Sequence, residues 1–136
     1  MPARKPLKES ELDKFRQWIE HLRLKSKEIP VVVESVYEKR ILENLKINNI
    51  YVLAKKTSKI AEDISKKYKE CILLLDTDKR GRDLYTKAKA KFEAQGVKID
   101  QRFEQFIFHT PIKNIRGIFT YFHKHLIDTP RKEVEL

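Results

Sequence analysis

The chain has 136 residues, and its 30 lysine and arginine residues outnumber its 20 aspartate and glutamate residues, which gives a formal net charge of +10. This length suits a single domain with one hydrophobic core, and the one cysteine, Cys71, excludes an internal disulfide and a cysteine-rich zinc site. No stretch approaches the roughly 18 apolar residues of a membrane span, and the opening MPARKPLKES lacks the apolar core of a signal peptide, so we expect a cytoplasmic protein without membrane contact.

The first predicted elements are a basic arm, a helix and a strand. Residues 1–9 are basic, contain two prolines and are expected to form a flexible arm. From Ser10, apolar residues recur at helical spacing, which predicts an N-terminal helix within residues 10–28 that packs on the domain. Residues 29–34 (IPVVVE) are a β-branched run after a proline and predict a buried strand.

The middle of the chain alternates short apolar runs with amphipathic helices. Strands are predicted over residues 50–53 and 71–75, and helices over residues 36–46, 57–68 and 82–95. The run CILLL at 71–75 is apolar throughout, which is typical of a central parallel strand covered on both faces, and it predicts a buried, inert thiol at Cys71. In the helix over 36–46, Tyr37 is assigned to the apolar face. This alternation predicts an α/β fold with a mostly parallel sheet and right-handed crossovers.

Two further segments complete the predicted domain. Residues 103–108 predict an edge strand, and residues 115–126 predict a helix with one apolar stripe. The aromatic side chains of this region fit a core or the seam of a homo-oligomer better than base stacking. Residues 29–127 are therefore expected to form the domain, followed by a flexible tail over residues 128–136.

Acidic residues follow two of the predicted strands. Glu34 ends the first strand, and Asp76 and Asp78 follow the strand at 71–75, in the sequence LLLDTDKRG. Because the first and third strands commonly lie side by side in a doubly wound sheet, we expect these carboxylates to converge at its carboxyl edge. Clustered carboxylates repel one another unless a divalent cation lies among them, and oxygen ligands suit Mg²⁺ or Mn²⁺.

The same acids also have structural interpretations. Asp78 fits the N-cap of the helix that follows it. Glu38 could close a capping box with Ser35, since Ser-x-x-Glu is a typical helix start. Asp76 and Asp78 together, with Gly81 behind them, favour a metal site over capping alone.

A strand that ends in Glu, followed by a later strand that ends in Asp-x-Asp-x-x-Gly, resembles the Toprim domain. This domain is shared by type IA and II topoisomerases, bacterial-type primases, the ribonuclease that matures 5S ribosomal RNA, and OLD-family nucleases. Glu34 matches the signature glutamate. Asp76 and Asp78 match the metal-binding pair of the second motif, and Gly81 matches its glycine. The resemblance covers about residues 29–127, is greatest to the small stand-alone archaeal Toprim proteins, and implies a Rossmann-like Toprim fold.

The resemblance implies Mg²⁺-dependent (or Mn²⁺-dependent) phosphoryl transfer on DNA or RNA, by hydrolysis or nucleotidyl transfer. The candidate catalytic residues are Glu34, Asp76 and Asp78, with Glu34 as a general acid or base. The candidate metal ligands are the same three residues and Glu38, which matches an acid found four residues after the glutamate in several members. Arg80 stands where many topoisomerases carry a third acid, which argues against topoisomerase chemistry.

Basic residues surround the predicted acidic centre at the ends of three neighbouring strands. They are Lys39, Arg40, Lys55, Lys56, Lys79, Arg80 and Arg82. Such a collar suits the phosphodiester backbone of a nucleic acid, with no need to contact base edges, although a solvated lysine-rich surface is the alternative. The rival to an enzyme is a non-catalytic nucleic-acid-binding or scaffolding module of a larger complex.

Overall fold

The computed structural model of the chain describes residues 9–110, 112 and 114–127. The predicted arm and tail lie outside these residues, apart from Glu9, which begins the first helix. The described helices are α1 (Glu9–Lys25), α2 (Val36–Asn44), α3 (Thr57–Ser65), α4 (Lys79–Ala94), α5 (Arg102–Phe108) and α6 (Ile115–Tyr121), and a π-helical segment (Phe122–Ile127) follows α6. The described strands are β1 (Val31–Val33), β2 (Ile50–Val52), β3 (Glu70–Leu73) and β4 (Lys98–Ile99).

The four strands form one parallel sheet in the order β2-β1-β3-β4. The pairing of β1 with β3 confirms that the first and third strands lie side by side. From β1 the chain continues to β2 on one side, and from β3 it continues to β4 on the other. The carboxyl ends of β1 and β3 therefore flank the switch point of the sheet, where open α/β folds bind their ligands.

Helices cover both faces of the sheet, which explains why its central strands are apolar throughout. Val31 and Val33 pack in a core with α1, α2, α5 and α6, whereas Val32 packs on the opposite face with α3 and α4. Cys71 lies in this second core, and burial raises the pKa of its thiol to about 12. The predicted α/β fold with a parallel sheet and the predicted burial of Cys71 are confirmed.

The strand predicted over residues 103–108 is wrong, because this segment is helix α5. Phe103 and Ile107, four residues apart, are both buried on one helical face. The carbonyl of Phe103 accepts a hydrogen bond from Trp18 Nε1 at 3.2 Å, which ties α5 to α1. The edge of the sheet is occupied instead by β4, whose two residues are too few to produce a strand pattern in the sequence.

Several helix boundaries also differ from the prediction, as α3 ends at Ser65 rather than at residue 68. Helix α4 begins at Lys79 rather than Arg82, because Asp78 caps it one turn earlier. The helix predicted over residues 115–126 is α-helical only to Tyr121 and continues as the π-helical segment. Among the helices that the structure describes, none is long and apolar enough to cross a membrane.

Candidate functional site

The acids that follow β1 and β3 are neighbours at the carboxyl edge of the sheet. Burial raises the pKa of the Asp76 carboxyl, and the negative charges of Glu38, Asp78 and Glu34 raise it further. The fold thus brings the four predicted metal ligands within electrostatic reach of one another. Among the four acids, Asp76 is the one on which the charges of the other three all act.

Two of these acids cap helices, as their structural interpretations predict. Asp78 is the N-cap of α4 and accepts a hydrogen bond from the Gly81 backbone N–H at 2.7 Å. Glu38 accepts hydrogen bonds from the backbone N–H and the hydroxyl of Ser35, each at 2.8 Å, in the capping box of α2. A carboxylate has two oxygens with about four acceptor sites, so capping occupies only part of each group.

Glu34 is held by a bidentate ion pair with Arg80. The two guanidinium nitrogens Nη1 and Nη2 donate to Glu34 Oε2 at 2.7 Å and to Oε1 at 2.9 Å. These hydrogen bonds lower the pKa of the Glu34 carboxyl although its burial opposes the change. Glu34 is therefore ionised at neutral pH, and the predicted phosphate-binding cation Arg80 is bound to it.

Asp76 differs from the other three acids in its contacts. No hydrogen bond or ion pair joins its carboxylate to another residue in the part of the chain that the structure describes. Within residues 9–110, 112 and 114–127 no group of three Asp, Glu, His or Cys side chains is arranged to hold one ion, since Glu34, Glu38 and Asp78 are directed at other partners. The chemistry of the donor set still fits Mg²⁺, because it consists of carboxylate oxygens, and a cation would relieve the repulsion that the other acids exert on ionised Asp76.

Gly81 brings the start of α4 against the end of β3. A Cβ atom at this position would lie 2.1 Å from the carbonyl oxygen of Asp76 and 2.7 Å from its carbonyl carbon. Only glycine permits such an approach of two backbone segments. The same contact fixes the spacing between Asp76 and the N-cap Asp78.

A cavity of about 350 Å³ opens beside Glu34 at the same edge of the sheet. It is lined by Glu34, Leu53, Lys55, Thr57, Arg80, Asp83, Leu84 and Lys87. Lys55 lies close enough to Glu34 for its charge to contribute to the lowered pKa of that carboxyl. The cavity therefore has an acidic wall and basic residues around it, which suits an anionic ligand with an attached cation.

A strained turn after β2 positions Lys55. Ala54 and Lys55 both have positive φ, 47° and 64°, and the Lys56 N–H donates to the Leu53 carbonyl at 2.7 Å. This is the geometry of a type I′ turn, whose two central positions favour glycine or asparagine. Neither position carries such a residue, so the turn stores strain at the edge of the candidate site.

We expect Ala54→Gly to raise the free energy of unfolding by up to about 1 kcal/mol, because glycine adopts positive φ without steric cost. Ala90→Gly is the matched control, since Ala90 is exposed within α4. That control should lose about 1 kcal/mol through helix propensity. Urea unfolding of both variants measures the difference, and a loss of stability in Ala54→Gly would contradict strain at this turn.

The predicted basic collar divides into paired and unpaired residues. Lys39 pairs with Glu43 at 3.0 Å and Lys79 pairs with Asp83 at 3.2 Å, each along one helix. Arg82 places its guanidinium 6.0 Å from the centre of the Phe108 ring, toward α5. The exposed members that make no ion pair with another described residue are Arg40, Lys55, Lys56 and Arg82, of which Arg82 contacts the Phe108 ring.

Sequence reasoning missed an exposed aromatic residue beside the acids. Tyr37, assigned to the apolar face of α2, has an exposed fraction of 53%, so that assignment is wrong. Arg116 Nε donates to the Tyr37 hydroxyl at 3.2 Å, and the guanidinium carbon lies 5.6 Å from the ring centre. Helical spacing aligns Tyr37 with the buried Ile41, but Tyr37 lies at the exposed start of α2, next to Val36, which is also exposed.

A further acid follows β4 at the carboxyl edge and was also missed. Asp100 is buried, and its two oxygens accept hydrogen bonds from the Arg102 side chain at 2.9 and 2.7 Å. The hydrogen bonds from Arg102 lower the pKa of the Asp100 carboxyl. Because the Arg102 backbone N–H also donates to Asp100, at 3.2 Å, this acid holds the start of α5.

Comparison with known proteins identifies relatives over most of the chain. No family model matches the sequence. The UPF0292 protein MJ1624 of Methanocaldococcus jannaschii is 32% identical over 120 residues, which are 84% of this chain and 94% of that protein. The solved structure of a protein from Aquifex aeolicus superimposes with a TM-score of 0.69 at 28% identity, over 81% of this chain and 97% of that chain. Both similarities extend over nearly the full length of the related protein.

Proposed function

The chain belongs to the UPF0292 family, and for this member we propose a Toprim-domain protein of the cytoplasm that binds nucleic acid and Mg²⁺ and performs metal-dependent phosphoryl transfer on DNA or RNA. The observation that carries the proposal is the environment of Asp76. Its carboxylate has no hydrogen-bond partner among the described residues, and the negative charges of three other carboxylates act on it at the switch point of a parallel sheet. Such a group is electrostatically unfavourable without a cation, and it lies where α/β folds bind ligands.

The metal ligands in this proposal are Asp76, Asp78 and Glu38, with Glu34 as a further ligand or as the acid–base group. Bound Mg²⁺ would polarise a phosphoryl oxygen and neutralise charge that develops in the transition state. Glu34 is ionised at neutral pH in its pair with Arg80, which suits a metal ligand. The lowered pKa makes it a weak base, so a role in proton transfer requires that Arg80 first release it. Arg80 also offers a planar guanidinium with several donors beside the site, as phosphate recognition requires.

Electrostatics support a nucleic-acid substrate. The net charge is +10, and the exposed Arg40, Lys55 and Lys56, which form no ion pair with another described residue, lie on the segments that follow β1 and β2. Lys55 and Lys56 lie in the loop between β2 and α3, at the same edge of the sheet as Glu34. Cations in these positions can neutralise backbone phosphates on either side of the metal-binding acids without contacting base edges.

Replacement of both Lys55 and Lys56 by Ala should weaken nucleic-acid binding and reduce its salt dependence. Each lost phosphate contact lowers the slope of log affinity against log salt by about one unit, so we expect a decrease of about two units. Fluorescence anisotropy over a salt series measures the slope.

The matched control replaces Lys66 and Lys67 by Ala, which removes the same charge. These two residues are exposed at the other end of α3. Because α3 runs back along the sheet, this pair lies at the amino edge, away from the acids. The control should keep a slope within about half a unit of the parent protein. Equal decreases in the two variants would contradict a binding face at the carboxyl edge.

One observation favours a second candidate function, a nucleic-acid-binding module without chemistry of its own. Arg80 neutralises Glu34, and among the described residues no three ligands are arranged for one ion. A chain of this kind would contribute binding to a larger DNA- or RNA-processing complex. Incubation of single- and double-stranded DNA and RNA with the protein and Mg²⁺ separates the two functions, since only the enzyme gives product that EDTA prevents.

A further inference from the structure

We infer that Tyr37 is a stacking platform for an unpaired base, so that the nucleic acid bound at this site is single-stranded. This inference rests on the proposed function and specifies its substrate. Tyr37 is 53% exposed as a residue, whereas the other large aromatic residues of the described chain are mostly buried or partly buried. Val36 beside it is 51% exposed, so the two residues present a small apolar surface at the start of α2.

Arg116 holds the Tyr37 ring from the neighbouring helix α6. Its Nε donates to the Tyr37 hydroxyl at 3.2 Å while the guanidinium carbon lies 5.6 Å from the ring centre. This pairing restricts the rotation of an exposed side chain, so less conformational entropy is lost when a base stacks on the ring. It also places a positive charge at the ring, where a phosphate next to the stacked base can contact it.

The platform lies in the same helical turn as Glu38, one of the proposed metal-binding acids. Tyr37 directly precedes Glu38, whose charge acts on Asp76, and it follows Glu34 by three residues. Arg40, exposed and without an ion pair to the described residues, is three residues farther along α2 and therefore close to Tyr37 on the helix surface. A nucleotide stacked on Tyr37 would thus have cations beside its phosphates and the acidic centre within reach of the next phosphodiester.

The geometry favours a single strand over a duplex. In a duplex the faces of the bases are stacked on one another, so an aromatic side chain on the protein cannot stack on them. An unpaired base offers its whole face, and stacking on an aromatic side chain then adds affinity for any base. The backbone contacts of Arg40 and the lysines act on either form, so the aromatic platform is the feature that distinguishes them.

The test compares Tyr37→Ala and Tyr37→Phe with the parent protein. The probes are oligothymidylate, oligouridylate, an abasic strand of the same length, and a duplex. Tyr37→Ala should weaken binding to the base-containing single strands at least about fivefold. Tyr37→Phe keeps the ring and should bind within about twofold of the parent. Neither variant should change affinity for the abasic strand or for the duplex.

Phe108→Ala provides a matched control, because Phe108 is also exposed and also has an arginine, Arg82, beside its ring. It should leave the affinity for every probe unchanged. The inference is overturned if Tyr37→Ala binds the base-containing strands as the parent does, or if it loses as much affinity for the abasic strand. It is also overturned if Tyr37→Phe is as weak as Tyr37→Ala, or if the base-dependent loss occurs in Phe108→Ala instead.

A structural role for Tyr37 and a failure of the proposed function give different results. If the residue only fastens α2 to α6, Tyr37→Ala should lower the melting temperature and weaken binding to all probes equally, which overturns the inference. If the parent protein binds none of the probes, both the proposed function and the inference about Tyr37 fail. Binding of the parent to all probes with no effect of Tyr37→Ala overturns the platform alone and leaves the proposed function standing.

Discussion

Gly81→Ala should lower the free energy of unfolding by about 3 kcal/mol or more, the effect of a clash that side-chain movement cannot relieve. The added Cβ would lie 2.1 Å from the Asp76 carbonyl oxygen, which belongs to the backbone. The N-terminus of α4 must therefore move away from the end of β3. Such a movement separates Asp78 from Asp76, so we also expect the variant to lose its response to Mg²⁺.

Gly96→Ala is the control for the conformational effect of replacing a glycine. Gly96 has a φ of 82°, but nothing lies within 4 Å of the position that its Cβ would occupy. Its replacement should cost only about 1 kcal/mol, from the positive φ alone. Urea unfolding measures both variants, and a cost at Gly81 no greater than that at Gly96 would show that α4 does not approach β3 as closely as described.

The parts of this fold that sequence predicts are those determined by neighbouring residues. The apolar runs VVV and CILLL indicate strands covered on both faces, and the sheet confirms them. The spacing from Asp78 to Gly81 and from Ser35 to Glu38 predicts helix starts, and both are present with their hydrogen bonds. Each of these features depends on a segment of a few residues, where local geometry determines the contacts.

The missed features depend on contacts between distant segments. The pair between Glu34 and Arg80 joins residues 46 positions apart, and only the adjacency of β1 and β3 brings them together. The contact of Tyr37 with Arg116 spans 79 positions and depends on the packing of α2 against α6. Residues 103–108 show why apolar patterns in short segments are ambiguous, since both a strand and a short helix can bury Phe103.

Asp76→Asn should abolish the proposed activity while leaving the fold intact. The substitution removes one carboxylate of the group but keeps the size of the side chain. Because a metal ion contributes several kcal/mol of charge stabilisation to the transition state, we expect phosphoryl transfer to fall by about 100-fold or more. Asp63→Asn is the matched control, since Asp63 pairs with Lys59 on α3 outside the site, and it should retain the parent rate.

The same variant should also lose the stabilisation by Mg²⁺. In the parent protein, Mg²⁺ at ten times its Kd should raise the free energy of unfolding by about 1.4 kcal/mol, because the ion binds only the folded state. Asp78→Asn allows a further distinction. Asparagine caps a helix about as well as aspartate, so this variant should keep its stability without metal and still bind Mg²⁺ more weakly.

Without Mg²⁺, Asp76→Asn should be more stable than the parent at neutral pH. Burial and the carboxylates of Glu38, Asp78 and Glu34 raise the pKa of Asp76 in the folded state, so the folded protein binds a proton more readily there than the unfolded chain does. Ionisation of Asp76 therefore lowers stability as the pH rises through the folded-state pKa. Below about pH 3.5 the carboxyl is mainly protonated in both states, and the advantage of the variant should disappear.

Melting curves of the parent, Asp76→Asn and Asp63→Asn, each with and without Mg²⁺ at several pH values, test the metal site apart from any activity. A metal site at Asp76 requires that the parent and Asp63→Asn gain stability from Mg²⁺ and that Asp76→Asn does not. An equal response in all three proteins would mean that the ion binds elsewhere or not at all. The carboxylates around Asp76 would then lower the free energy of unfolding without any bound metal to compensate. The resemblance to the Toprim domain would in that case extend to the fold and not to the metal site.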